Sequence, residues 1–189
     1  ELERAAEASS PERVALVVPL GGISTYPAIV TDTASYAGTL QVAAHEWVHH
    51  YFAFAALGWR TLVSREALTI NETAADIAGS EIAARALALS GDPTRSLEEA
   101  GATSAGGAEG ARARQERDAT LRALRTEVDA LLVEGRVADA EQRMEAVRLD
   151  LEAHGVRIRR LNQAYFAWYG TYAARGDSVD PLGGQLREL

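Results

Sequence analysis

Hydrophobic positions along the chain change period near residue 35. Before it, Val14-Ala15-Leu16-Val17-Val18 is a short β-branched run, the pattern of a buried strand. Gly21-Gly22 breaks that run, and Ile23 to Val30 reads as a second strand. Pro27 confines it to a sheet edge, because proline donates no ladder hydrogen bond. Such an edge could pair with an extended peptide. Residues 1–9 read as a short charged helix or a frayed end. From about Ser35 to Leu57 the spacing is helical, with Asp32 or Thr33 as N-cap and Gly58 as the stop. Leu40, Ala43, Ala44, Trp47, Val48, Tyr51, Phe52 and Phe54 cover most of this helix's girth, which predicts burial in the core.

A second helix runs from about Arg65 or Thr69 to Leu89 and ends at Ser90-Gly91. Ala74, Ala75, Ala78 and Gly79 give it a small-residue surface that allows close approach of another helix. Residues 90–110, rich in Gly, Ala, Ser and Glu, read as a loop. Ala111 to Gly135 and Val137 to His154 then carry Leu and Val stripes at helical spacing around Gly135, predicting an antiparallel helical hairpin. A last helix spans about Val156 to Ala174, with Asn162, Tyr165, Tyr169 and Tyr172 along one stripe and Leu161, Ala164 and Trp168 on the other side. The tail from Gly176 reads as irregular. The predicted fold class is α+β, mostly α. It is taken as a single domain, 1–189, with a core in 1–92, a hairpin in 111–155 and a tyrosine-rich helix in 156–174.

Composition narrows the function classes. The chain has 189 residues, 47% of them hydrophobic, enough for a packed core. Its net charge of −8 argues against nucleic acid, which needs a basic face, and gives no steering toward anionic membranes. All 19 basic residues are Arg, so no lysine nucleophile exists. No Cys is present, so a bound metal must be held by His and carboxylates. No apolar run reaches the roughly 20 residues of a membrane span. The chain begins at Glu1 rather than Met, which reads as a processed or excised piece, one from which a signal peptide or membrane anchor could have been removed. An extracytoplasmic or membrane-associated setting is favoured over the cytoplasm.

The chemistry lies in His45-Glu46-Trp47-Val48-His49, an H-E-x-x-H motif on the first long helix. Residues four apart share a helix face, so both imidazoles reach one ion. Glu46, rotated by about 100° from His45, can touch a metal-bound water rather than the metal. His50 is turned about 100° from His49 and reads as structural. Glu72 and Asp76 share a face of the second helix, and buried carboxylates there need a cation. His45, His49 and Glu72 make a His₂Glu set with one coordination position open, the pattern of catalytic zinc.

With H-E-W-V-H at 45–49 and N-E-T-A-A-D at 71–76, the sequence resembles the gluzincin metallopeptidases, the clan of thermolysin, neprilysin and the CAAX-prenyl proteases. The resemblance covers about 35 residues, from His45 to Gly79. The separation between His49 and Glu72 is slightly longer than in the compact members, and the aminopeptidase G-x-M-E-N motif is absent. The resemblance implies a zincin-like core, Zn²⁺ held by His45, His49 and Glu72, and Asp76 orienting His45 as a second-layer partner. It implies an endopeptidase acting on peptide or protein substrates, with zinc-activated water and Glu46 as general base. A downstream Tyr or His often stabilises the oxyanion in this clan, which makes Tyr165, Tyr169 and His154 the candidates. The competing reading is a non-catalytic or latent zinc-stabilised binding domain that uses the 111–155 hairpin to hold a partner.

Overall fold

A computed structural model describes residues 1–10, 13–31, 35–91 and 107–189. The chain is mostly helical with one two-stranded antiparallel sheet, which agrees with the α+β, mostly α expectation. In chain order the elements are α1 (Leu2–Ala8), β1 (Gly22–Ile23), β2 (Ile29–Val30), α2 (Tyr36–Phe52), α3 (Ala56–Arg60) and α4 (Arg65–Ser90). There follow α5 (Gly107–Val133), α6 (Val137–Ala153), α7 (Gln163–Tyr169) and α8 (Leu182–Arg187). The chain divides into two compact units. One comprises Glu1–Pro19, Gln115–Gly170 and Gly176–Val179; the other comprises Leu20–Arg114, Thr171–Arg175 and Asp180–Leu189.

The first unit is built on the α5–α6 hairpin. Leu121, Leu124 and Val128 of α5 meet Ala140, Met144, Val147 and Leu151 of α6, and Leu161, Tyr165 and Phe166 complete the cluster. The apolar stripes of the hairpin are thus consumed within their own unit. Truncating one such leucine to alanine costs about 2–5 kcal/mol. The run Val14–Val18 is extended but joins no sheet. Carboxylates of α1 replace the missing ladder: Glu7 accepts from Ala15 N at 2.9 Å and Glu3 from Val17 N at 2.6 Å. Arg159 donates to both Glu3 oxygens and to the Val17 carbonyl, and Asn162 donates to the Ala15 carbonyl. The predicted helix from Val156 to Ala174 shortens to Gln163–Tyr169, because the Asn162 side chain caps it by accepting from Tyr165 N.

The second unit pairs α2 with α4. The Ser35 side chain caps α2 by accepting from Gly38 N; the predicted caps Asp32 and Thr33 lie outside the described residues. α2 ends at Phe52, short of Gly58, because Ala55 N donates to the Phe52 carbonyl and tightens the chain into a turn that leads to α3. Ser64 caps α4, and Gly91, at φ 65°, closes it in the left-handed conformation. The predicted 90–110 loop falls mostly outside the described residues. The predicted second strand is a hairpin, with Gly22 opposite Val30 and Ile23 opposite Ile29. The tail is not wholly irregular: α8 packs on α4. The predicted girth of α2 is also revised. Its buried residues are small or slender (Ala37, Ala44, Val48) together with Glu46, while Trp47, Tyr51 and Phe54 are exposed.

Candidate metal centre

α2 and α4 meet as an antiparallel pair in a register that side chains mark. Gln41 Nε2 donates to Ser80 Oγ at 2.8 Å, His45 faces Asp76, and His49 faces Glu72. Each step of four residues along one helix is matched by four along the other, so successive turns stay on the shared face. Gly79 sets the spacing. A Cβ there would stand 2.8 Å from the His45 nitrogen and 2.9 Å from its Cα, and both are backbone atoms that cannot swing aside. With Ala75 fully buried beside it, the crossing brings backbone, rather than long side chains, against His45.

Three donor atoms converge at this crossing. His45 Nε2 lies 3.0 Å from His49 Nε2 and 3.4 Å from Glu72 Oε2; His49 Nε2 lies 3.7 Å from the same oxygen. The outer ring nitrogens face acceptors. His49 Nδ1 donates to Asn71 Oδ1 at 2.7 Å, and His45 Nδ1 is 4.0 Å from Asp76 Oδ1. A proton on each Nδ1 leaves both Nε2 lone pairs aimed at one another and at a carboxylate oxygen, an arrangement that repels unless a cation lies among them. Ligands at zinc–nitrogen and zinc–oxygen distances of about 2.0–2.2 Å in a tetrahedral set are spaced by roughly 3.3–3.5 Å. The observed edges bracket that value, so the group can hold a metal ion.

Electrostatics agree with this grouping. Burial alone would push the Glu72 carboxyl up, but with no ion among the donors the two imidazoles can donate to it from Nε2 instead, which outweighs burial and holds it at about 2. Burial disfavours charged His49, yet Glu72 and Asn71 together raise its pKa. Asp76 is raised by burial, against the pull of His45, Arg175 and Arg187.

Glu46 is held outside the donor set. It is only 7% exposed, and its side chain lies against Gly22 of β1, where a Cβ would come within 2.6 Å of its Cγ and Oε1. Ser24 donates to the Glu46 carbonyl at 3.2 Å, tying the hairpin to α2. Burial raises the Glu46 pKa, opposed by the charges of His45 and His49. A carboxyl with a raised pKa beside a cation site is suited to taking up and giving back a proton. His50 serves the hairpin instead of the ion. Its Nε2 donates to the Thr25 carbonyl at 2.7 Å and braces the chain between β1 and β2.

The segment 171–175 completes the unit. Thr73 is fully buried; its hydroxyl accepts from Ala173 N at 3.0 Å and donates to the Thr171 carbonyl at 3.4 Å. Tyr172, held between those two residues, places its ring 6.4 Å from the His45 ring and its hydroxyl in a hydrogen bond to Glu72. Burial, and then the Glu72 charge, raises the Tyr172 pKa, so the phenol stays protonated and donates.

Of the residues singled out in the sequence, His45, His49, Glu72 and Asp76 come together here, with Glu46 beside them. Tyr165 and Tyr169 belong to the hairpin unit, where their rings pack 4.5 Å apart and Tyr165 is part of the core. His154, also in that unit, caps the end of α6 from an exposed position, its Nδ1 donating to the Asp150 carbonyl at 2.8 Å. Among the described residues, the tyrosine beside the three donors is Tyr172, which the sequence offers only as a member of the tyrosine stripe. Asn71, Thr73 and Gly22 are the other residues whose roles spacing alone does not show. Compared with family models, curated proteins and solved structures, the chain matches none.

Proposed function

We propose that the chain is a zinc-dependent peptidase of gluzincin type, an endopeptidase whose α2–α4 pair and β-hairpin serve as a zincin-like core. The observation that carries this reading is a three-donor His₂Glu triangle with a second carboxyl, that of Glu46, buried next to it but outside it. The donor set, two imidazoles and a carboxylate with no thiolate, suits zinc. His45, His49 and Glu72 would hold the ion, with Asn71 fixing the His49 tautomer by its hydrogen bond and Asp76 facing His45 Nδ1 from behind at 4.0 Å. When bound, zinc supplies Lewis acidity that polarises a carbonyl group and lowers the pKa of water.

The chain's own residues do the rest. Glu46 takes the proton from the attacking water and returns it to the leaving amine. Gly22 leaves the space in which its carboxylate can lie, and the burial that raises its pKa favours proton uptake. Tyr172 restrains Glu72 by donating to it, which keeps the third ligand turned toward the two imidazoles. The alternative of a non-catalytic domain that binds a partner through the helical hairpin has less support. Most of the hairpin's apolar stripe is already packed between its own two helices and against Leu161, Tyr165 and Phe166. The test is elemental analysis of the purified chain together with cleavage of an unstructured peptide, before and after chelation. One zinc per chain, cleavage lost on chelation and restored by stoichiometric zinc is the expected result. A zinc-loaded chain that cleaves no peptide in a broad peptide library would sink the peptidase reading while sparing the metal centre.

A further inference from the structure

Among the described residues, an apolar series lies uncovered on α2 and just beyond it. Trp47 and Tyr51 share an α2 face about 200° around the helix from His45 and His49, and Phe54 follows just past the end of the helix. The apolar series continues through Trp59, Leu62 and Val63. Phe54 is 94% exposed, Val63 85% and Leu62 80%, while Trp47, Tyr51 and Trp59 are each more than half exposed. Single exposed hydrophobics are ordinary, but six large ones within residues 47–63 are a binding surface in search of an apolar partner.

Charge and hydrogen bonding indicate which partner. The chain carries 27 carboxylates, yet none lies between Glu46 and Glu66, where Arg60 and Arg65 are the arginines. The polar side chains of the segment are used internally: Thr61 donates to the Gly58 carbonyl, Ser64 caps α4, and His50 donates to Thr25. What remains is hydrocarbon, arginine and the single polar edges of Trp47, Tyr51 and Trp59, few directional groups beside the roughly one bond per 100–200 Å² of a protein interface. The residue types are also graded. The most exposed side chains are purely hydrocarbon, while the less exposed Trp and Tyr carry a polar edge. That is the depth order of a bilayer surface, with hydrocarbon in the acyl boundary and Trp or Tyr at headgroup level.

We propose that residues 47–65 dock this chain on a phospholipid surface. Phe54, Leu62 and Val63 enter the acyl boundary, Trp47, Tyr51 and Trp59 sit among the headgroups, and Arg60 and Arg65 meet lipid phosphates. The segment lies on the surface and does not cross it: among the described residues, no helix is long and apolar enough to span a membrane. Docking of this kind is independent of the metal centre and holds whether or not the chain hydrolyses peptides.

The experiment is flotation of the full chain with vesicles of phosphatidylcholine alone, and of phosphatidylcholine with one quarter phosphatidylglycerol. The chain should float with both, more with the anionic vesicles at low salt, and its tryptophan emission should be quenched by brominated acyl chains. The triple variant F54S/L62S/V63S should lose roughly tenfold or more of its partitioning at unchanged zinc content. R60E/R65E should keep its flotation on phosphatidylcholine and lose the gain on anionic vesicles. A wild-type chain that stays in the lipid-free fraction, or escapes bromine quenching, overturns the proposal without recourse to any variant. So does a triple variant that floats like wild type. A dimer in solution that the triple variant dissolves, with no flotation, would assign the segment to a second copy of the chain and equally overturn it.

Discussion

Replacing Gly79 with alanine tests the helix crossing on which the centre depends. The new Cβ would stand 2.8 Å from the His45 nitrogen and 2.9 Å from its Cα, against ordinary contacts of 3.4 Å or more. Because the opposing atoms are backbone, the helices themselves must separate by about 0.6 Å or rotate. Two of the three donor–donor edges, 3.4 Å and 3.7 Å, cross between the helices, whereas the 3.0 Å edge lies within α2. The separation therefore falls on Glu72 alone, and it exceeds the roughly 0.2 Å tolerance of metal–ligand distances. Zinc affinity should fall about 10–100-fold, the range seen when ligand support is disturbed. Metal-free stability should change less, since overpacking of about 1–3 kcal/mol is partly offset by the helix preference of alanine, about 1 kcal/mol. Competition with a chromogenic chelator measures the affinity, and chemical denaturation in EDTA measures the stability. Gly184→Ala, where nothing lies within 4 Å of the added Cβ, is the control. Wild-type zinc affinity in Gly79→Ala would refute the reasoning.

Four further outcomes follow from the same geometry. Gly22→Ala forces the Glu46 carboxylate from its seat and should lower kcat about tenfold or more with zinc content unchanged; a variant that loses zinc instead would mean the hairpin supports the ligands. Zinc affinity should climb as pH rises past 6.5, because the raised pKa of His49 means that zinc displaces a proton until that group has titrated; chelator competition across roughly pH 5.5–8.5 reads the slope, and a flat profile contradicts it. Glu72 in the metal-free chain has its pKa shifted in the opposite direction to that of His49. Its pKa is depressed to about 2 from 4.5, so its stabilisation is present above 4.5 and is lost as pH falls through about 2, which EDTA-treated melts would detect. Thr73→Val leaves the Ala173 amide without its partner and should cost about 1–3 kcal/mol in denaturant unfolding; a neutral result would mean that 171–173 are held otherwise.

The candidate metal ligands are legible in the sequence because their spacing is local. His45 and His49 at i, i+4, and Glu72 with Asp76 at i, i+4, each declare a helix face before any fold is known. The same arithmetic extends to Gln41 and Ser80, but pairing those two requires the register, which Gly79 sets through a contact between distant residues. Tyr172 is hidden by a similar limit. The stripe Tyr165, Tyr169, Tyr172 presumes one continuous helix, whereas α7 stops at Tyr169 and the backbone bonds to Thr73 redirect the chain. Hydrophobicity misleads at two stretches. Val14–Val18 has strand composition, but Glu3 and Glu7 supply its acceptors from a helix. Trp47 and Phe54 look like core, yet the close α2–α4 crossing admits only small residues and leaves these aromatics outside.

In the proposed function, holding the metal and moving the proton fall to different residues, and Glu46→Gln separates the two roles in one preparation. The amide keeps the size of the side chain and its place against Gly22 but cannot accept the proton. One zinc per chain, as in wild type, is expected, with peptide cleavage reduced about 10²–10⁴-fold. Cleavage at the wild-type rate by zinc-loaded Glu46→Gln would contradict this division of roles.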